Sequence, residues 1–157
     1  MVEEAGGNAR VNILGVDVNG VTLEEATRRI EGFWKSPKRG RLVVTVNPEL
    51  IMAALEQAEF AQALASSALV VPDGIGVVWA SRVLGNPLPE RVPGIELAER
   101  AMKSAARTGR KVYFLGGRSG VAEQAAEVLT KKYPGLKVSG VQDGFFPDYH
   151  SEIIADE

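Results

Sequence analysis

Cysteine is absent from this 157-residue chain, and histidine occurs once, at His150. The first absence excludes disulfide scaffolding, thiol catalysis and thiolate metal sites, and it is compatible with a reducing compartment. The second excludes histidine-cluster metal sites and leaves any Ser-His-Asp arrangement dependent on one residue near the end of the sequence, where a solvent-exposed side chain is the simpler reading. An excess of charge is also missing. Eighteen Lys plus Arg against twenty Asp plus Glu give a formal charge of −2, which offers no general attraction to polyanions and argues against nucleic acid as a partner. No apolar run approaches the roughly 20 residues needed to span a bilayer. The first ten residues, MVEEAGGNAR, lack the basic start and apolar run of a signal peptide, so the sequence reads as soluble and cytoplasmic. Repeats, low-complexity stretches and interdomain linkers are absent too. The expectation is one domain over residues 1–157, its softest boundary the loop Gly85 to Gly94 between two lobes.

What is present is an alternation of short apolar runs with helical periods. Val11 to Val18 reads as a strand and Thr22 to Trp34 as an amphipathic helix, opened by the capping-box spacing of Thr22 and Glu25. A strand from Arg41 to Val46 runs into Asn47-Pro48, where Asn47 suits a helix cap and Pro48 the first helical position, and the helix is expected to continue through Leu64. Ala68 to Val71 reads as a buried strand ending at Pro72-Asp73-Gly74, followed by a helix over Ile75 to Leu84. The pattern then gives a helix from Ile95 to Arg107 and a strand from Lys111 to Leu115. A glycine-rich turn, Gly116-Gly117-Arg118-Ser119-Gly120, leads into a helix over Val121 to Tyr133. A strand from Leu136 to Val141 and the start of a last helix complete the series. Strands alternating with helices imply an α/β, Rossmann-like layered fold with a mainly parallel sheet flanked by helices. Trp34 and Trp79 read as packing residues.

In such a sheet ligands collect at the carboxyl ends of the strands, where loops and helix N-termini converge. Three segments fall there: Thr45 to Glu49, Pro72 to Gly76, and Leu115 to Gly120. Asp73, between Pro and Gly, is either a turn-forming aspartate, the commoner use of such a residue, or a base able to take a proton from a sugar hydroxyl. Asn47 is first a helix cap and Thr45 first a strand residue, each with ligand hydrogen bonding as the sharper option. Arg91, in a loop entering a helix, is either a solvated or locally paired arginine near Glu90 or a guanidinium for phosphate oxygens. The turn at Gly116 and Gly117 serves equally as a tight turn or as a phosphate cradle. It matches neither GxGxxG nor the P-loop lysine pattern, which removes the main sequence support for a dinucleotide oxidoreductase or a P-loop hydrolase.

Taken together, TVNPE at Thr45 to Glu49, VPDGIGVVWA at Val71 to Ala80, RVPGIEL at Arg91 to Leu97, FLGG at Phe114 to Gly117 and DGFF at Asp143 to Phe146 resemble the successive signatures of the WecG/TagA/CpsF glycosyltransferases. The resemblance runs from about Val11 onwards. It implies an inverting transfer from a UDP-sugar donor to a lipid-linked acceptor, typically of N-acetylmannosamine to N-acetylglucosaminyl-diphospho-undecaprenol in wall teichoic acid linkage synthesis. By the family pattern Asp73 is the general base, and Thr45 and Asn47 line the substrate pocket. Arg91 is a candidate for substrate or phosphate contact, and Gly116, Gly117, Asp143 and Gly144 are candidates for the nucleotide.

No cofactor or divalent metal is implied, and no DxD motif is evident. The family pattern continues beyond Glu157 with a further strand, a GxPxQE motif and a basic tail. The tail would dock on the inner face of the cell membrane, making the longer protein peripheral there, and homo-oligomers are expected. A catalytically silent nucleotide-binding or oligomerising module is the alternative.

Overall fold

The computed structural model describes residues 9–37 and 40–145. Phe146, His150 and the expected closing helix lie outside the described residues. The chain forms two compact units, Met1–Ala98 and Glu99–Glu157. The fold is mixed α/β of the Rossmann-like kind, its strands paired as one antiparallel and two parallel couples.

In the first unit, the apolar run expected as one strand is a hairpin of β1 (Arg10–Ile13) and β2 (Val16–Asn19), paired antiparallel. Leu14 and Gly15 both take positive φ, 50° and 89°, the two-residue turn whose twist matches that of the flanking strands. The Asn12 carboxamide oxygen accepts the Gly15 N–H at 3.0 Å. α1 (Leu23–Phe33) starts at the expected cap: the Thr22 hydroxyl accepts the Glu25 N–H, and the Glu25 carboxylate accepts the Thr22 N–H. That backbone bond holds the Glu25 carboxyl below the ordinary glutamate value. A second carboxylate, Glu90 Oε1, accepts the Leu23 N–H at 2.5 Å and satisfies another open amide of the first turn.

β3 (Val43–Val46) and β4 (Leu69–Pro72) pair in parallel, with Thr45 opposite Val71 and Val46 opposite Pro72. β4 is buried on both faces: Val70 joins a core with Val18, Val46, Ile51 and Val77, while Leu69 and Val71 join another with Val21, Ala26, Val92 and Leu97. Burial on two sides explains an unbroken apolar strand sequence. Buried Asn19 on β2 offers its side-chain oxygen to the Val70 N–H at 2.8 Å, which ties the hairpin to β4.

Between these strands the expected single helix is two, α2 (Pro48–Glu56) and α3 (Ala58–Ser66), parted at Gln57, whose extended backbone ends one and starts the other. α4 (Ile75–Val83) buries Val77, Val78 and Ser81. Ile75, Trp79 and Val83, spaced by four, lie on its open face, and Trp79 is 65% exposed. Trp79 is therefore a surface residue and not the packing residue expected, because the buried arc of α4 is centred on Val77 and Ser81. The Ser81 hydroxyl donates to Val78 O and accepts the Leu88 N–H, pinning the loop that follows α4.

α5 (Gly94–Thr108) begins in the first unit and ends in the second. The second unit adds β5 (Lys111–Leu115), α6 (Val121–Lys132) and β6 (Lys137–Gln142), with β5 and β6 parallel and a bulge after Val112. Lys132 pairs with Glu99 across two helices of this unit. The Lys132 hydrogen bond holds Glu99 below its ordinary value, and the same bond, followed by one with Tyr133, raises Lys132. Among the described residues, no helix is long and apolar enough to cross a membrane.

Candidate functional site

Because β3 and β4 are parallel neighbours, the loops leaving their carboxyl ends start side by side. The Asp73 N–H donates to Val46 O at 2.8 Å, so the sheet extends one residue into the loop and places Asp73 beside Asn47. The two following helices start close together: an added Cβ on Gly74 would stand 2.8 Å from Pro48 Cδ, and one on Gly76 3.0 Å from Pro48 Cγ. The glycines after Asp73 thus let α4 begin against the first turn of α2. Asn47 caps that turn, its side-chain oxygen accepting the Leu50 N–H at 2.8 Å. The capping role is filled by the oxygen, which leaves the carboxamide NH2 as a donor at the mouth of the same loop.

The loop after α4 comes back to this point. Val92 N–H donates to Pro72 O at 2.7 Å, and the residues on either side close on Asp73. Arg91 Nε donates to the Asp73 carbonyl at 2.9 Å and Nη2 to Asp73 Oδ1 at 3.3 Å. The Gly94 N–H, the first of α5, donates to Asp73 Oδ2 at 3.0 Å. The Asp73 side chain is 28% exposed and that of Arg91 51%. Each carboxylate oxygen keeps a second lone pair, so a hydroxyl group arriving from solvent has an acceptor to meet. A Cβ on Gly94 would stand 3.0 Å from Thr45 Oγ1 and 3.1 Å from Asp73 Oδ2. Thr45, Asp73 and the start of α5 therefore converge on one small space.

Of the sequence candidates, Thr45, Asn47, Asp73 and Arg91 are brought together in the first unit. Arg91 pairs with Asp73, and neighbouring Glu90 turns away to cap α1. Gly94 is the participant that sequence reasoning passed over. It lay inside the RVPGIEL signature, but its Pro-Gly pair ahead of a helix reads as a turn.

The other candidates gather in the second unit. Gly116, Gly117 and Gly120 take positive φ, 129°, 77° and 86°, which makes this turn costly for other residues. The Gly116 N–H donates to Gln142 O, and the Gly144 N–H to Gly117 O, both at 2.9 Å. A Cβ on Gly144 would come within 3.3 Å of the Gly117 backbone. The Asp143 carboxylate accepts the Phe145 N–H at 2.9 Å and holds the turn after β6. α6 starts from Gly120 without a side-chain cap; its Val121 N–H donates to Arg118 O at 3.0 Å, and the next amides, of Ala122 and Glu123, are left for another acceptor. The Gly116 N–H is already taken by the strand ladder. Among the described residues, no group of three or more Asp, Glu or His side chains is placed to hold a metal ion.

The family model for the glycosyl transferase WecG/TagA/CpsF family matches residues 11–156. The chain belongs to that family. Every convergent residue of both units lies inside the matched span. Among its relatives are proteins of Staphylococcus aureus strains NCTC 8325 / PS 47, COL and MRSA252, each named N-acetylglucosaminyldiphosphoundecaprenol N-acetyl-beta-D-mannosaminyltransferase. Each is 36% identical to it over 136 residues, 86% of this chain and 54% of the relative. This WecG/TagA/CpsF chain thus spans about half the length of the curated relatives it matches.

Proposed function

We propose that this chain carries the acceptor-activating centre of an inverting glycosyltransferase that moves N-acetylmannosamine from a UDP-sugar to N-acetylglucosaminyl-diphospho-undecaprenol, the acceptor named in its relatives. The observation that carries this reading is the Asp73 carboxylate, held at the carboxyl end of β4 by Arg91 and Gly94 yet open to solvent beside Thr45. In the proposed step Asp73 takes the proton of the acceptor hydroxyl. The hydroxyl oxygen bonds to the anomeric carbon from the face opposite the leaving group, and the carbon's bond to the UDP phosphate oxygen breaks. Inversion follows from that geometry. Thr45 and the Asn47 carboxamide supply hydrogen bonds to sugar hydroxyls. The turn at Gly116 and Gly117, with Asp143 and Gly144 beside it, is the proposed nucleotide cradle, the uncapped first-turn amides of α6 and the α6 dipole balancing diphosphate charge. The enzyme would work at the inner membrane surface as a homo-oligomer.

The test is transfer from UDP-N-acetylmannosamine to a short-chain lipid-diphosphate N-acetylglucosamine, run on this chain and on a version extended to the length of its relatives. Product is expected in the extended version, with turnover about 10²–10⁴-fold lower after Asp73→Asn, the usual cost of removing a general base. Absence of product and of UDP release in both versions refutes the proposal. Undiminished turnover in Asp73→Asn removes the base.

A further inference from the structure

We infer that Arg91 and Gly94 are positioning residues for Asp73, the one through its guanidinium and the other through its bare α-carbon and amide, and that Arg91 is not a substrate ligand. The inference rests on Asp73 being the base. Arg91 grips two different groups of one residue: Nε takes the main-chain carbonyl of Asp73 at 2.9 Å and Nη2 the carboxylate Oδ1 at 3.3 Å. A planar fork bonded to backbone and side chain together fixes the rotation of the carboxylate relative to its own backbone, which a single contact to either group would leave free.

The second oxygen is fixed independently. Oδ2 receives the first amide of α5 at 3.0 Å, a fifteen-residue helix whose positive end faces the charge. Gly94 adds a steric requirement, because its absent side chain would lie 3.0 Å from Thr45 Oγ1 and 3.1 Å from both Asp73 Oδ2 and Thr45 Cγ2. Its φ lies outside the left-handed region, so an alanine there meets no backbone penalty and acts through crowding alone. Three residues of one loop, Arg91, Val92 and Gly94, thus hold Pro72 and Asp73 at four places. The loop works as a clamp on the base.

Steady-state kinetics on an active preparation separate a clamp from a ligand. A misplaced base lowers kcat, since displacement of about 1 Å can cost on the order of 10²-fold, whereas loss of a ground-state contact raises KM. The expectation for Arg91→Ala is a kcat lower by about 10–100-fold, with KM for UDP-N-acetylmannosamine and for the acceptor each changed by less than about threefold and partial recovery on adding millimolar guanidinium. Gly94→Ala should show the same split with its thermal midpoint kept. A raised KM for donor or acceptor with kcat preserved in Arg91→Ala would make Arg91 a substrate ligand and overturn the inference. So would full kcat in both variants. Asp73→Asn, measured alongside, distinguishes the failures: activity lost there but kept in the other two sinks only the clamp, while activity kept in Asp73→Asn sinks the base reading beneath it.

Discussion

Asn47 carries a helix cap and a proposed substrate contact on different atoms of one carboxamide, which makes the two roles separable by substitution. Aspartate caps helices as well as asparagine does, so Asn47→Asp should keep the thermal midpoint of the wild type while losing transferase activity with the NH2 donor. Asn47→Ala should lose the cap as well, lowering stability by about 0.5–2 kcal/mol in urea unfolding. Equal activity in Asn47→Asp and wild type would return Asn47 to a purely structural role. Residues whose partners lie close in sequence were legible: Thr22 with Glu25, three residues apart, and Asn47 with Leu50. Arg91 was found as a candidate but not its partner, because the bond to Asp73 spans eighteen residues and exists only once the loop after α4 returns to the end of β4. For the same reason Glu90 gave no hint of the α1 amide it caps, 67 positions away.

Among the elements, helices and parallel strands were legible where both faces or one clear stripe are apolar, as in β4, β5 and α6. Two breaks were not. The Val11 to Val18 run buries Val11, Ile13, Val16 and Val18 and exposes both Leu14 and Gly15, so its alternation slips by one residue at the reversal, a sign masked by apolar Leu14, which lets the run read as one continuous strand. Gln57 divides α2 from α3 with no Gly or Pro to announce it. The hairpin turn gives a prediction of its own. Leu14 is 59% exposed and sits at φ 50°, a region where a branched apolar residue is disfavoured and asparagine is common. Leu14→Asn should therefore stabilise the protein by about 1 kcal/mol, read as a higher urea midpoint at unchanged slope. Gly15→Ala, with φ at 89°, should move the midpoint the other way.

At the scale of the whole molecule, each unit holds a glutamate whose carboxyl lies below its ordinary value, Glu25 in the first and Glu99 in the second. A lowered folded-state value means stability that is complete above the ordinary glutamate value and is lost as pH falls through the folded one. Lys132, raised by Glu99, contributes stability complete below the ordinary lysine value and lost as pH rises through the raised one. The thermal midpoint should therefore be flat, as far as these groups decide it, from above the glutamate range to below the lysine range, and fall at both ends. Calorimetry on Glu25→Gln should show a shallower acid limb, while Glu99→Gln should soften both limbs by a small amount, the pair being exposed and screened. The bond from the Gly94 amide to Asp73 couples the proposed chemistry to a different observable. An acceptor hydroxyl that bonds to the free lone pair of Oδ2 shares that oxygen with the first amide of a helix and weakens its hold on it. The hydrogen-exchange rate of one main-chain amide at the head of α5 is consequently a gauge of occupancy at the reactive centre, readable without turnover.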